Sequence, residues 1–272
     1  QSISGKYPEI DFVFCSSSDL DITNLENCQV VFDEFQPQFC INAAAYTAVD
    51  KAESEPAKAF DINANGAENL AITCKKFNTI LIHISTDFVF DAYFSEGIAY
   101  YDRELRLPLK SNLGLTETDV PFPSGVYGLT KLQGEQAIQA NLEKHFIIRT
   151  SWVYSQFGNN FMKTMLRLAS ERESLSVVND QIGTPTNAVD LADVLIKIIV
   201  SCHAELVSAS NYGIYNFSNE GQCSWYDFAN EIFHQKGVSI DLKPIPTSAY
   251  PTPAKRPAYS VLDKTKIKRT FG

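Results

Sequence analysis

Tyr127 and Lys131 are the residues whose types and spacing point most directly to chemistry. They are four positions apart, so on a helix they lie one turn from each other on the same face. Residues 132–140 are mostly helix-forming, and Pro123 and Ser124 are suitable residues for the start of that helix. An ammonium group one turn from a phenol favours the phenolate, so we expect Lys131 to lower the pKa of Tyr127.

A phenol held in this way could deliver the proton that a carbonyl oxygen needs when hydride adds to its carbon. The spacing alone is weak evidence, because Tyr-x-x-x-Lys pairs also arise by chance in helices. The structural alternative is a solvated lysine beside a half-buried tyrosine. The choice between these interpretations depends on the elements around the pair.

The composition indicates a globular chain and argues against several classes of protein. Of the 272 residues, 44% are hydrophobic and 20% are charged, and the net charge is -9. Basic residues cluster only between Lys255 and Arg269, so we expect no nucleic-acid partner. No segment is long and apolar enough to suggest a membrane span, and no signal peptide is recognised. We therefore expect no membrane partner.

The six cysteines and four histidines are scattered along the chain. No Cys-x-x-Cys pair is present, and the histidines are far apart in the sequence. Scattered cysteines in an acidic α/β chain are typical of reduced thiols in the cytoplasm. We predict a cytoplasmic protein with reduced cysteines and no metal site.

Strands and helices alternate in the predicted secondary structure. Strands are predicted at 9–15, 38–42, 79–84, 146–149, 175–178 and 212–217. Helices are predicted at 24–35, 55–77, from Tyr127 onward, and at 160–172, 189–200, 225–235 and 263–271. This alternation favours a parallel sheet with right-handed crossovers. Ligands bind beyond the carboxyl ends of the strands in such sheets, which selects segments 16–21, 42–46 and 85–90.

Four segments in this order resemble those of a known superfamily. They are Asn42-Ala43-Ala44-Ala45-Tyr46, then 85–91 (STDFVFD), then Tyr127-x-x-x-Lys131, and then 149–154 (RTSWVY). The chain resembles the extended short-chain dehydrogenase/reductases and, within them, the dTDP-4-dehydrorhamnose reductase family. The likeness runs from about residue 9 to residue 263, and the joint order of the segments is more specific than any one of them.

The resemblance implies an NAD(P)-dependent oxidoreductase in nucleotide-sugar and cell-surface polysaccharide biosynthesis. The family reduces the 4-keto group of dTDP-4-dehydro-6-deoxy-L-mannose (dTDP-4-dehydrorhamnose) to give dTDP-L-rhamnose. By position, Tyr127 would be the general acid, and Lys131 would hold the nicotinamide ribose hydroxyls. Thr86 would donate a hydrogen bond to the substrate carbonyl oxygen, where negative charge builds up.

The resemblance also implies two sets of binding residues. The cofactor-binding residues would be Asp21, Ile22, Ala43, Ala44, Ala45, Tyr46, Asn63, Ser85, Tyr127 and Lys131. The substrate-binding residues would be Thr86, Asp87, Val89, Trp152, Asn160, Gly183, Pro185, Thr186 and Arg256. Structural alternatives stay open for two of them, since Trp152 could be a core residue and Arg256 a solvated loop residue.

The implied fold is a Rossmann-like doubly wound parallel sheet with a smaller substrate-binding α/β subdomain. Residues 1–150 and 188–218 would form the dinucleotide-binding domain, and residues 151–187 and 219–272 the substrate-binding subdomain. The sequence departs from the family because the first strand and the Gly-rich phosphate loop are missing. The molecule either carries residues before Gln1 or is a truncated product. For a true truncation we expect weak or no dinucleotide binding.

Other properties are less closely determined by the sequence. Residues 15–18 are neither acidic nor basic, so we expect NADPH as the cofactor with NADH tolerated. Residues 92–115 are an insertion that could be a lid or an interface. A homodimer is expected from relatives that pair through surface helices.

Three alternative functions differ from the reductase. A dehydratase of the same superfamily would carry an acid after Asp87, where this chain has Phe88. An epimerase fits the 149–154 and 183–186 segments less well. A non-catalytic homologue resembling the methionine adenosyltransferase regulatory subunit is the alternative outside enzymes.

Overall fold

The structure of the chain is a computed structural model that describes residues 1–90, 114–203 and 211–272. Except for its last two residues, the 92–115 insertion therefore lies outside the described residues. Within the described ranges, no helix is long and apolar enough to cross a membrane.

The described helices include those that the sequence predicts, one of them composite, and a short helix at residues 49–52 that it does not predict. They are α1 (Leu25–Phe35), α2 (Val49–Ala52), α3 (Pro56–Phe60), α4 (Gly66–Phe77), α5 (Val126–Asn141), α6 (Phe161–Glu171), α7 (Ala188–His203), α8 (Trp225–Lys236) and α9 (Thr265–Phe271). The predicted helix at 55–77 is realised as α3, a π-helical turn (Asp61–Asn65) and α4 in succession. Asn24 caps α1 by accepting a hydrogen bond from the Asn27 amide, as expected for a helix start.

The described strands form one main sheet and three small ones. They are β1 (Phe39–Asn42), β2 (Ile80–Thr86), β3 (His145–Thr150), β4 (Val153–Tyr154), β5 (Ser174–Val178), β6 (Ile182–Gly183), β7 (Thr186–Asn187), β8 (Gly213–Asn216), β9 (Cys223–Ser224) and β10 (Asp241–Ile245). The main sheet has the order β1-β2-β3-β8, and every neighbouring pair is parallel. The pairs β5–β10 and β4–β7 are parallel, and β6–β9 is antiparallel.

Helices cover both faces of the main sheet, as in a doubly wound fold. Successive strand residues point to opposite faces. Ile82 packs with residues of α7 and α9 in one core cluster, whereas Leu81 packs with residues of α1, α4 and α5 in another. The predicted α/β fold with a parallel sheet is confirmed, and the strands end together at the edge where ligands bind in such sheets.

The predicted strand at 9–15 is wrong, because these residues have no regular strand structure. A strand needs a neighbour for its backbone hydrogen bonds. Within the part of the chain that the structure describes, the main sheet ends at β1, which pairs only with β2. The side chains of residues 9–15 make contacts other than those of a strand. The rings of Phe12 and Phe14 stack with their centroids 5.8 Å apart, and Ile10 packs against the core.

A separate core cluster joins α6, α8, β5 and β10. β10 is not among the strands that the sequence predicts, and it contains Pro244, a residue that is typical of loops. Pro244 is tolerated because β10, among the described residues, pairs only with β5 and is therefore an edge strand.

Candidate active site

Helix α5 presents Tyr127, Lys131 and Glu135 in one row, because each is four positions after the last. Its N-cap is Gly125, so the predicted start at Pro123 and Ser124 lies slightly too early. The Val126 amide at the start of the helix donates to Glu53 Oε1 at 2.8 Å. Tyr127 is half-buried, whereas Lys131 and Glu135 are almost fully buried.

Thr86 lies at the carboxyl end of β2, and its hydroxyl lies close enough to the Tyr127 phenol to influence the phenol's pKa. The same hydroxyl donates to Asp87 Oδ1 at 3.1 Å and accepts from the Phe88 amide at 3.2 Å. Gly128 allows this close approach, since a Cβ atom there would lie 2.4 Å from the Phe88 carbonyl oxygen. The two separate segments predicted to share a site are therefore in contact.

Burial raises the pKa of Tyr127 to about 12, and the charge of Asp87 acts in the same direction. The nearby Thr86 hydroxyl lowers the pKa, but by less than burial raises it. The prediction that Lys131 lowers this pKa is wrong in this structure. The Lys131 amine is directed to the Ile84 carbonyl oxygen at 2.7 Å and to His83 Nε2 at 3.1 Å. The phenol is therefore protonated at neutral pH and can donate a proton.

Burial also lowers the pKa of Lys131 to about 8, because the charged form loses its hydration. The carboxylate of Glu135 opposes this shift. Glu135 is itself paired with Arg149, whose Nη2 atom lies 2.6 Å from Glu135 Oε2. A buried row of charges thus extends from the site into the core.

Asn63 connects the segment after β1 to α5. Its side chain accepts from the Tyr46 amide at 2.8 Å and donates to the Tyr46 carbonyl at 3.2 Å. It also donates to the Thr130 hydroxyl at 3.1 Å. Because Asn63 is buried on the π-helical turn, it fixes the distance between the β1 end and α5.

Some of the predicted cofactor residues are exposed in the structure, and others are buried. Ala43 and Ala44 are exposed directly after β1, with no bulky side chain over the backbone. Asp21 is exposed and accepts from Thr23, whereas Ile22 is buried. The Ser85 hydroxyl instead donates to Glu135 Oε1 in the core at 2.5 Å. Its contact with the cofactor stays a prediction.

Trp152 lies at the centre of the predicted substrate residues. Its backbone has φ of 47°, and its ring stacks on that of Trp225 with centroids 3.6 Å apart. Gly183 leaves room for this ring, since a Cβ atom there would lie 2.5 Å from the Trp152 side chain. The buried Thr186 accepts from the Thr150 hydroxyl at 3.3 Å, and its amide donates to the Trp152 carbonyl oxygen.

Three further predicted substrate residues make structural contacts. Val89 is fully buried in a core cluster, and its contact with the substrate stays a prediction. Arg256 pairs with Asp50 at 2.6 Å and thereby attaches the C-terminal segment to α2. The Asn160 side chain caps α6 by accepting from the Lys163 amide at 3.2 Å.

Sequence reasoning missed several features of the site. Glu135 could have been found from its spacing, one turn after Lys131. The contact of Asn42 with His83 could not, although segment 42–46 was selected, because the two residues come together only through the register of β1 and β2. Trp225 likewise reaches Trp152 only through the tertiary fold. Across the described residues, no group of three or more His, Cys, Asp and Glu is placed to hold a metal ion.

Comparison with known proteins identifies the family. The family model described as RmlD substrate binding domain matches residues 4–272. The chain belongs to this family. A dTDP-4-dehydrorhamnose reductase from Aggregatibacter actinomycetemcomitans is 42% identical over 278 residues, which is 99% of this chain and 86% of the relative.

Solved structures agree with the assignment to the RmlD family. A dTDP-4-dehydrorhamnose reductase from Clostridium acetobutylicum is 39% identical, with a TM-score of 0.87, covering 100% of this chain and 88% of that one. A dTDP-4-dehydrorhamnose reductase from Bacillus anthracis, in complex with NADP, is 38% identical, with a TM-score of 0.82. That match covers 96% of this chain and 84% of the Bacillus chain.

Proposed function

We propose that this chain reduces the 4-keto group of dTDP-4-dehydrorhamnose to give dTDP-L-rhamnose, with NADPH as the hydride donor. The observation that carries the proposal is that the Thr86 hydroxyl lies beside the Tyr127 phenol, with buried Lys131 one turn along α5. Relatives about 40% identical carry the name of this enzyme over nearly the whole length of the chain.

The residues present fit the nicotinamide half of the cofactor. A buried amine, a protonated phenol and a hydroxyl lie beside an open backbone at Ala43 and Ala44. Lys131 would hold the ribose hydroxyls, and residues 43–46 would lie along the phosphate and ribose. The bound cofactor supplies hydride to the substrate carbon. NADPH is the proposed form, with NADH tolerated.

Tyr127 would supply the proton to the carbonyl oxygen. Its raised pKa keeps the phenol protonated at neutral pH, so the proton is in place when negative charge builds up on the oxygen. Thr86 would act as a second donor by turning its hydroxyl from Asp87 toward that oxygen. Two preorganised donors in a partly buried site stabilise the developing oxyanion.

The nucleotide sugar would lie between the end of the main sheet and the second cluster of α6, α8, β5 and β10. Trp152, Asn160, Gly183, Pro185 and Thr186 are proposed to line the sugar pocket. Arg256 is proposed to reach the diphosphate, which requires that it leave Asp50. This arrangement supports the division into a dinucleotide-binding domain (1–150 and 188–218) and a substrate-binding subdomain (151–187 and 219–272). A cytoplasmic location and a homodimer stay predictions.

A turnover assay tests this proposal. The keto sugar nucleotide and NADPH are mixed with wild-type protein, and loss of the nicotinamide absorbance is followed. Wild-type oxidation that falls at least about a hundredfold in Tyr127→Phe supports the assigned acid. Tyr250→Phe is the matched control, since Tyr250 is exposed and should tolerate the change. Equal rates in wild type and Tyr127→Phe would rule out the assigned acid, and no wild-type rate would favour a non-catalytic role.

A further inference from the structure

The Lys131 amine contacts two positions on β2 that its proposed role leaves unexplained. It lies 2.7 Å from the Ile84 carbonyl oxygen and 3.1 Å from His83 Nε2. His83 is buried, and desolvation together with the charge of Lys131 lowers its pKa well below the usual value. The imidazole is therefore neutral and carries one proton, either on Nδ1 or on Nε2.

Asn42 decides which nitrogen of His83 carries that proton. Asn42 Oδ1 accepts from the Ala44 amide at 3.1 Å, which leaves the Asn42 amide nitrogen facing His83 Nδ1 at 2.9 Å. The reverse orientation of Asn42 would place two N–H donors against each other at Ala44. Because the Asn42 amide nitrogen is a donor, His83 Nδ1 must accept, and the imidazole proton is on Nε2.

An Nε2–H group facing Lys131 favours the neutral amine, because an ammonium has no lone pair to accept the hydrogen bond. A charged Lys131 would need the His83 proton on Nδ1. Asn42 would then have to turn over and lose its bond from Ala44. The charge of Lys131 is thereby coupled to the backbone directly after β1, where the cofactor is expected.

We propose that Asn42 and His83 are positioning residues that set the charge state of Lys131 and link it to the segment after β1. This inference rests on the proposed function for the role of Lys131. Other ionisable groups lie on the elements packed around the amine. They are Tyr127 and Glu135 on α5, Asp87 after β2, Arg149 on β3, Tyr46 after β1, and Glu53 and Glu55 at the ends of α2 and α3.

Among these groups, Glu135 favours the charged lysine, and burial opposes it. The hydrogen-bond chain from Asn42 acts in the same direction as burial. Asn42→Asp should reverse the effect of this hydrogen-bond chain on Lys131, because a carboxylate can accept from both the Ala44 amide and His83. The imidazole proton then moves to Nδ1, and Nε2 becomes an acceptor for the Lys131 ammonium.

The first experiment measures the tautomer of His83 directly. Wild-type protein labelled with ¹⁵N-histidine is studied by long-range ¹H–¹⁵N correlation spectra, and the His83 signal is assigned with His83→Gln. We expect the Nε2–H form at pH 9, above the pKa of about 8 of Lys131, where the amine is mostly neutral. An Nδ1–H form or a charged ring at that pH would overturn the proposal.

The second experiment measures the pKa of Lys131 from the ¹³C shift of its side chain during a pH titration. Asn42→Asp should raise that pKa by about one unit or more. Asn78→Asp is the control, because it adds the same charge at the exposed residue before the opposite end of β2. An unchanged Lys131 pKa in folded Asn42→Asp would contradict the coupling. Neither measurement needs turnover, so a failed reductase assay leaves this test intact.

Discussion

The buried ion pair between Glu135 and Arg149 gives the sharpest stability test of the site. Arg149 Nη2 lies 2.6 Å from Glu135 Oε2, and Arg149 Nε lies 3.0 and 3.2 Å from the two carboxylate oxygens. Both side chains are 1% exposed, and the Ser85 hydroxyl donates to the same carboxylate. Water cannot compensate either charge when its partner is removed.

Glu135→Gln keeps the shape of the side chain but leaves the Arg149 guanidinium buried without a counter-ion. We expect this variant to lose about 3–5 kcal/mol of unfolding free energy. The double variant Glu135→Leu with Arg149→Met removes both charges and should be more stable than Glu135→Gln, because no unpaired charge is left.

Equilibrium unfolding in urea, followed by circular dichroism, measures these differences. Arg167 and Glu171 on α6 provide the control, since they form an ion pair at 2.8 Å with both side chains at least half exposed. Breaking that pair should lower the free energy of unfolding by only about 0.3–0.5 kcal/mol. If Glu135→Gln cost no more than the exposed control, the assignment of a buried, charged pair beneath Lys131 would be refuted.

Three further predictions use the same site. Burial lowers the pKa of Lys131 to about 8, so the unfolded chain holds more protons at this residue between pH 8 and pH 10. Wild type should therefore gain about 2 kcal/mol of unfolding free energy relative to Lys131→Met across that range, and urea titrations showing a constant difference would contradict this. Asn63→Leu should lower the free energy of unfolding by about 2 kcal/mol, because it leaves the Tyr46 backbone groups unpaired. Thermal unfolding measures this loss, and an unchanged midpoint would argue against this role of Asn63. Gly183→Ala should displace the Trp152 ring and change the tryptophan emission, and an unaltered spectrum would show that the ring tolerates the added methyl group.

The sequence predicted the elements well where hydrophobic patterns and caps act locally. Asn24 and Asn160 cap helices within one residue of the predicted starts. The spacing of Tyr127 and Lys131 predicted that both would lie on one helical face. The strand at 9–15 was wrong because its formation depends on a neighbouring strand and not on its own residues.

The site could be predicted only where it follows from spacing or from resemblance. The pKa of Tyr127 was predicted in the wrong direction, because burial outweighs the lysine one turn away and the amine points to β2. Asn42 and His83 meet through strand register. Arg256 reaches Asp50 across the fold, which no local pattern indicates.

Transfer of a deuterium label tests the central claim most directly. Wild-type protein is incubated with dTDP-4-dehydrorhamnose and NADPH that carries deuterium at the transferred position, and the sugar product is analysed by mass spectrometry and NMR. We expect one deuterium on carbon 4 of dTDP-L-rhamnose, and no such product with Tyr127→Phe. Recovery of the unchanged keto sugar from wild type, or a product without deuterium at carbon 4, would contradict the proposed reduction.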